Sequence, residues 1–157
     1  MLFPTKTVII IKGLSGSGKS SFAQGIAAEH HNAGHSVSIH ETDKYFIQNG
    51  VYTFDPSKIR ENHEKNLSAF TDSIMNGVYL VINSNTNTQL WEYVNYMNLA
   101  LEHGYATVVY DLFDAGLSDE ELFNRNTHDF PLEKYQAVKQ NYERGMSNLD
   151  PRPFWER

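Results

Sequence analysis

The chain's 157 residues match the ordinary size of one domain and suffice to close a sizeable core. Hydrophobic residues make up 40% and charged residues 20%, a globular composition. Thirteen Lys and Arg against nineteen Asp and Glu leave a net charge of −6, which argues against a module held on nucleic acid by bulk charge; the absence of cysteine excludes disulfides, thiolate catalysis and cysteine-ligated metals.

No apolar run approaches the roughly 18 residues needed to cross a bilayer. The opening Met1–Gly13 stretch has neither a basic flank nor a small-residue cleavage site. A cytoplasmic, single-domain protein without a membrane partner is expected, with an extension over 146–157.

In chain order, Val8-Ile9-Ile10-Ile11 is a β-branched run suited to a strand buried on both faces. A helix is predicted from Lys19 to His31, with Phe22, Ile26 and Ala27 on one face, stopped at Gly34. Ser36–His40 reads as a second strand. Lys58–Met75 reads as a helix with Ile59, Leu67, Phe70 and Ile74 inward, ended by Asn76-Gly77. A third strand over Val78–Ile82 leads into the polar run Asn83–Thr88. The next helix, Gln89–Glu102, carries the stripe Leu90, Val94, Met97 and Leu101. Ala106–Tyr110 is the fourth strand, and Ser118–Asn124 and Leu132–Arg144 are two further helices. Alternating strands and helices predict an α/β fold, a parallel sheet of about four strands with helices on both faces. Ligands in such sheets gather beyond the carboxyl ends of the strands.

Gly13-Leu14-Ser15-Gly16-Ser17-Gly18-Lys19-Ser20 matches G-x-x-x-x-G-K-[ST], after a strand and before a helix as the motif requires. Gly13, Ser15, Gly16, Ser17, Gly18, Lys19, Ser20 and Ser21 are the expected cradle, their amides turned toward phosphate oxygens. Lys19 supplies an ammonium to the β- and γ-phosphates, and the Ser20 hydroxyl supplies a Mg²⁺ ligand. The motif implies ATP or another nucleoside triphosphate with Mg²⁺, not a particular reaction. Asp43, just after the second strand, can act as a general base, hold Mg²⁺ or cap a short helix.

The order Gly13–Ser20, Glu41-Thr42-Asp43-Lys44-Tyr45-Phe46, Tyr52-Thr53-Phe54-Asp55, His63, Val81–Thr88, Gly104-Tyr105 and Arg125-Asn126-Thr127-His128 with Pro131 resembles the P-loop kinase family of the phage polynucleotide 5′-kinase domain and its relatives. The similarity spans about residues 7–145. It implies γ-phosphoryl transfer from ATP to a hydroxyl, with Asp43 as general base. It also implies a lid over about 116–131, in which Arg125 closes on the transferring phosphate. Read alone, Arg125 is more readily a solvated helix-end charge.

Two departures from that family stand out. Phe46 occupies the place of an arginine that contacts the phosphate beside the acceptor hydroxyl. The run Asn83–Thr88 lacks an aspartate, which leaves Asp111 or Asp114 to supply a second carboxylate. Tyr45, Phe46, Tyr52 and Phe54 can stack a nucleobase or pack their loop on the sheet. His63 can touch substrate or sit in the core, and Asn85 and Asn87 can bind the acceptor or do turn work. His31 and His35 lack a zinc-site pattern. Phe154 and Trp155 can cover the core or a neighbouring subunit. The expected acceptor is a hydroxyl in nucleic acid, DNA above all, entering a local cleft. It is either the hydroxymethyl group of a modified pyrimidine or a 5′-terminal hydroxyl. The alternatives are a nucleoside or other small-molecule kinase and a non-catalytic nucleotide-binding module.

Overall fold

Strand β1, Thr7–Lys12, has every residue buried, and its side chains divide between two cores. Val8 and Ile10 face one, Ile9 and Ile11 the other, so the uninterrupted β-branched run does mark a strand covered on both sides. In the computed structural model, which describes residues 1–125 and 131–144, β1 is followed by α1 (Lys19–Asn32) and β2 (Val37–His40). After a 3₁₀ turn over Thr42–Phe46 come β3 (Ile47–Gln48) and β4 (Val51–Tyr52), and then α2 (Ile59–Met75) and β5 (Leu80–Ser84). The chain continues through α3 (Leu90–Glu102), β6 (Ala106–Asp111), α4 (Asp119–Arg125) and α5 (Leu132–Gln140).

The four main strands form one parallel sheet in the order β2-β5-β1-β6, as the alternating pattern predicts. Helix α1 packs Phe22, Ile26 and Ala27 onto the Ile9–Ile11 side, and α2 and α3 cover the Val8–Ile10 side. Strand β5 lies two residues later than expected. Polar Asn83 and Ser84 stay in the strand because they pair with Ile10 and Ile11 of β1 and are buried there.

Two helix faces differ from the hydrophobic pattern. The buried stripe of α2 is Asn62, Asn66, Phe70 and Ile74, while Ile59 is exposed. Asn66 tolerates burial because its Nδ2 donates to Tyr96 Oη at 3.1 Å. On α3 the buried residues are Tyr93, Tyr96 and Ala100, and Leu90 and Leu101 of the expected stripe lie in solvent. Tyrosines win the inward face because each has a polar neighbour there: Asn66 for Tyr96, and the Lys12 ammonium over the Tyr93 ring.

The β3–β4 hairpin was not among the predicted elements, although Asn49-Gly50 is a standard two-residue hairpin loop. Both residues adopt positive φ, 50° and 77°. The expected helix over Leu132–Arg144 ends at Gln140; residues 141–144 instead run across the strand tips, with Glu143 N–H donating to Thr88 O. Residues 126–130, toward the end of the expected lid, and the extension with Phe154 and Trp155 lie outside the described residues. Among the described residues no helix is long and apolar enough to cross a membrane.

Candidate active site

The glycine-rich turn leaves β1 under tight backbone control. Gly13 N–H donates to Thr86 O at 3.1 Å, Leu14 N–H to Phe113 O at 2.9 Å and Ser17 N–H to Leu14 O at 3.0 Å. Helix α1 then starts behind Gly18 with no side-chain cap, so its first amides keep their capacity to bind an anion. Of the expected cradle residues, Ser15, Gly16, Gly18, Lys19, Ser20 and Ser21 line a cleft of about 770 Å³. Gly13 and Ser17 do not. They form the floor of the turn, where a Cβ on Gly13 would come within 2.4 Å of Ser17 Oγ.

Gly16 has a different task. Its φ is +85°, and a Cβ there would meet Leu122 O at 2.7 Å and Arg125 Cβ at 3.2 Å. Helix α4 therefore rests directly on the turn, with Leu122 buried against Leu14, Tyr135 and Tyr142. From α5, the Tyr135 hydroxyl donates to Ser15 O. This seating brings Arg125, at the end of α4, to the cleft wall. Gly16→Ala combines a left-handed backbone with a backbone clash. It is expected to cost about 1–3 kcal/mol and to lower the melting temperature by several degrees in a thermal scan.

Lys19 donates from Nζ to Leu14 O at 3.1 Å. Burial pulls its ammonium down to about 8, against the opposing pull of Asp43 and Glu41. A bound polyphosphate favours the ammonium, so nucleotide affinity is expected to be complete below pH 8. Above that it should fall by up to about tenfold per pH unit until the bound-state value is reached. Stability should move the other way. The folded value lies below the ordinary 10.5, so the penalty of burying the charge is lifted as pH rises from about 8 to 10.5. Titration of nucleotide binding by calorimetry across pH 7–10 checks the sign.

The tip of β2 faces the turn. Glu41, Thr42, Asp43 and Lys44 all line the cleft. Thr42 is held twice: its N–H donates to Asn85 Oδ1 at 2.9 Å, and its hydroxyl is hydrogen-bonded to His63 Nδ1 at 3.1 Å. Asn85 in turn donates to Asn83 Oδ1 at 2.9 Å. Asp43, the next residue, sits in the first turn of the 3₁₀ segment rather than at its cap, a place held by Glu41. Among the described residues its carboxylate has no hydrogen-bond partner, and its charge is felt by Lys19 and by Tyr52, whose phenol is pushed up to about 12 by burial and then by Asp43.

Several expected contacts are corrected by the structure. Asn87 is buried outside the cleft lining; its Nδ2 donates to Ile11 O at 2.9 Å and lies 3.3 Å from Asn83 Oδ1, pinning β1 to the β5 tip. Tyr45 is 38% exposed and does not line the cleft. Phe46, 4% exposed, packs against Tyr52 and Phe54, with ring centroids 6.1 and 5.3 Å away, so packing governs it, although its edge still belongs to the cleft wall. His63 and Asn85 reach the cleft, but both are engaged with Thr42.

Neither Asp111 nor Asp114 lines the cleft. Asp111 is fully buried and accepts from Tyr142 Oη at 2.6 Å, Arg144 Nε at 2.9 Å and Phe113 N–H at 3.0 Å. Its charge also offsets that of buried Lys12, whose ammonium donates to Glu143 O and sits over the Tyr93 and Tyr142 rings. Asp114 accepts from Gly116 N–H and pairs with Lys139. Glu41, Thr42, Ser84 and Thr86 belong to the polar runs at the strand ends and line the cleft without having been singled out as site residues, and Lys44, Ile47 and Ile59 join them. Glu41 and Lys44 flank Asp43 closely enough to have been considered with it, whereas nothing local marks Tyr135 as a P-loop contact.

A G-x-x-x-x-G-K-S turn between the central strand of a β2-β5-β1-β6 parallel sheet and its following helix defines a P-loop NTPase fold of the kinase type. The model of the AAA_33 family, described as an AAA domain, matches residues 8–145, and the chain belongs to that family. Solved structures share the fold. A chain of the Pnkp1/Rnl/Hen1 RNA repair complex superposes with a TM-score of 0.65 at 18% identity, over 89% of this chain and 45% of that one. A gluconokinase from Sinorhizobium meliloti 1021 gives 0.53 at 20% identity, over 97% and 87%. Chaetomium thermophilum Kti12 in complex with ADP-AlF3 gives 0.58 at 12% identity, over 87% and 80%. The chain thus spans less than half the length of the RNA repair protein it matches.

Proposed function

We propose that the chain is an ATP-dependent phosphotransferase that moves the γ-phosphoryl group onto a hydroxyl carried by nucleic acid, specifically a base-borne hydroxymethyl group in DNA. The observation that carries the transfer is Asp43: a carboxylate in the cleft, across from Lys19, with no hydrogen bond of its own among the described residues. Lys19 and the first amides of α1 bind the β- and γ-phosphates. Asp43 accepts the proton of the attacking hydroxyl as its oxygen bonds to the γ-phosphorus and the bond to the bridging oxygen breaks, releasing ADP. Arg125 neutralises charge on the phosphoryl oxygens in flight.

The donor set fits a hydrated cation rather than a protein cage. Ser20 offers a hydroxyl at the cleft, and among the described residues no three His, Asp or Glu side chains group as a metal site. Mg²⁺ bound there, with Ser20 and Asp43 as the nearby oxygens, would neutralise phosphate charge.

The acceptor class is supported by the apolar part of the cleft lining. Ile47, Tyr52, Phe54 and Ile59 join the edge of Phe46 there, a surface suited to a planar base on which Phe46 stands where an arginine would meet a neighbouring phosphate. The structural neighbours include a chain of an RNA repair complex and also a gluconokinase, so the fold is in keeping with either acceptor. A second reading, a nucleoside or small-molecule kinase, is favoured by the cleft's volume of about 770 Å³, the size that encloses a single small ligand. Incubation with γ-labelled ATP and single-stranded DNA, duplex DNA, hydroxymethyluracil-containing DNA or free nucleosides separates them. Label on the modified DNA is the expected result. Label on nucleosides alone replaces the acceptor, and tight ATP binding with no labelled acceptor leaves a nucleotide-binding module.

A further inference from the structure

Two oxygens in the cleft are buried without a hydrogen-bond partner among the described residues: Glu41 Oε1 and Ser84 Oγ. Buried polar atoms are rarely left in that state, so each calls for a complement. Both belong to strand tips, and their proximity follows from register. His40 of β2 pairs with Asn83 of β5, and the Thr42 N–H to Asn85 Oδ1 bond keeps the two chains in step just beyond. Carrying that register one residue past the strand places Glu41 beside Ser84, on tips about 4.8 Å apart.

The surroundings define what would satisfy them. Ser84 is only 4% exposed, and the Glu41 side chain only 11%. Oε2 of Glu41 faces Lys44 Nζ at a loose 3.6 Å, which leaves Oε1 uncommitted. Lys19 spends its own hydrogen bond on Leu14 O rather than on Glu41. Ser20 lines the same cleft. A hydrated divalent cation at Ser20 presents water hydrogens outward, and two acceptor oxygens on adjoining strand tips match that surface.

We infer that Glu41 and Ser84 hold water molecules of a divalent cation bound with nucleotide at Ser20, and so position the metal from the sheet side of the cleft. The assignment rests on the nucleotide site proposed above. It makes Glu41 a positioning residue distinct from the proton acceptor Asp43, and it accounts for a β5 tip that carries no carboxylate.

The test reads metal affinity, not turnover. Free Mn²⁺ is followed by electron paramagnetic resonance while it is titrated into the protein with ADP; ADP affinity without metal is measured separately by calorimetry. Glu41→Gln and Ser84→Ala should each weaken Mn²⁺ in the ADP complex, Glu41→Gln by about tenfold or more, with metal-free ADP affinity not reduced. Ser84→Asp placed in the Glu41→Gln protein should recover Mn²⁺ affinity, which a merely misfolded variant would not do. Unchanged Mn²⁺ affinity in Glu41→Gln overturns the assignment while leaving the kinase reading intact. Failure of the unaltered protein to bind ADP at all overturns both.

Discussion

Arg125→Ala is expected to lower kcat by about 10³–10⁵, the range found for arginines that neutralise a phosphoryl group in transfer. The expectation comes from how Arg125 is placed. Leu122 anchors α4 in the core beside Leu14, and Gly16 lets the helix approach until Arg125 Cβ is 3.2 Å from where a Gly16 side chain would begin. Arg125 is exposed, but it lines the cleft from a helix seated on the glycine-rich turn, which is where the proposed transfer needs a cation. KM for ATP should change far less than kcat, because the interaction strengthens as charge develops on the phosphoryl oxygens. Arg125→Lys should recover only part of the rate, since a point charge lacks the planar fork. A kcat loss below about tenfold for the alanine variant would return Arg125 to the role of an ordinary helix-end cation.

Asp43→Asn is expected to reduce kcat by about 10²–10⁴ while nucleotide still binds, which is the signature of a lost proton acceptor. Asparagine keeps the shape of the 3₁₀ turn, and Asp43 supplies no cap hydrogen bond whose loss would confuse the result. A second readout comes from electrostatics. Asp43 is the largest influence holding up the Lys19 ammonium against burial. Without it, the pH at which nucleotide affinity begins to fall should move below 8. A shift in that profile together with lost turnover places Asp43 in the site. Normal turnover would make the residue a surface charge on the strand tip.

Much of the fold could be read from local pattern. The run Val8–Ile11 implied a doubly covered strand, strand and helix alternated, and the glycine-rich turn stood between strand and helix as its motif demands. Such features were legible because periodicity, glycine spacing and β-branching act over a few residues. Asp43 reached the cleft as expected for the same reason, since it follows a strand whose carboxyl end must lie there. The inward faces of α2 and α3 were not legible. A buried Asn66 or Tyr96 is tolerated only when each meets the other across two helices, 30 positions away in sequence.

The same division holds in the active site. Sequence by itself determined the glycine-rich turn between strand and helix, the four parallel strands along the chain and the carboxylate at the β2 tip, all being short-range consequences of chain chemistry. Tertiary structure alone decided which polar residues face the cleft. It turned Asn87 inward to pin β1, drew Asp111 into a network with Tyr142 and Arg144 outside the cleft lining, and left Glu41 Oε1 and Ser84 Oγ in the cleft without a hydrogen-bond partner among the described residues. The reason is physical: a polar side chain goes where its hydrogen bonds can be met, and those partners come from strands and helices that only the folded sheet brings together.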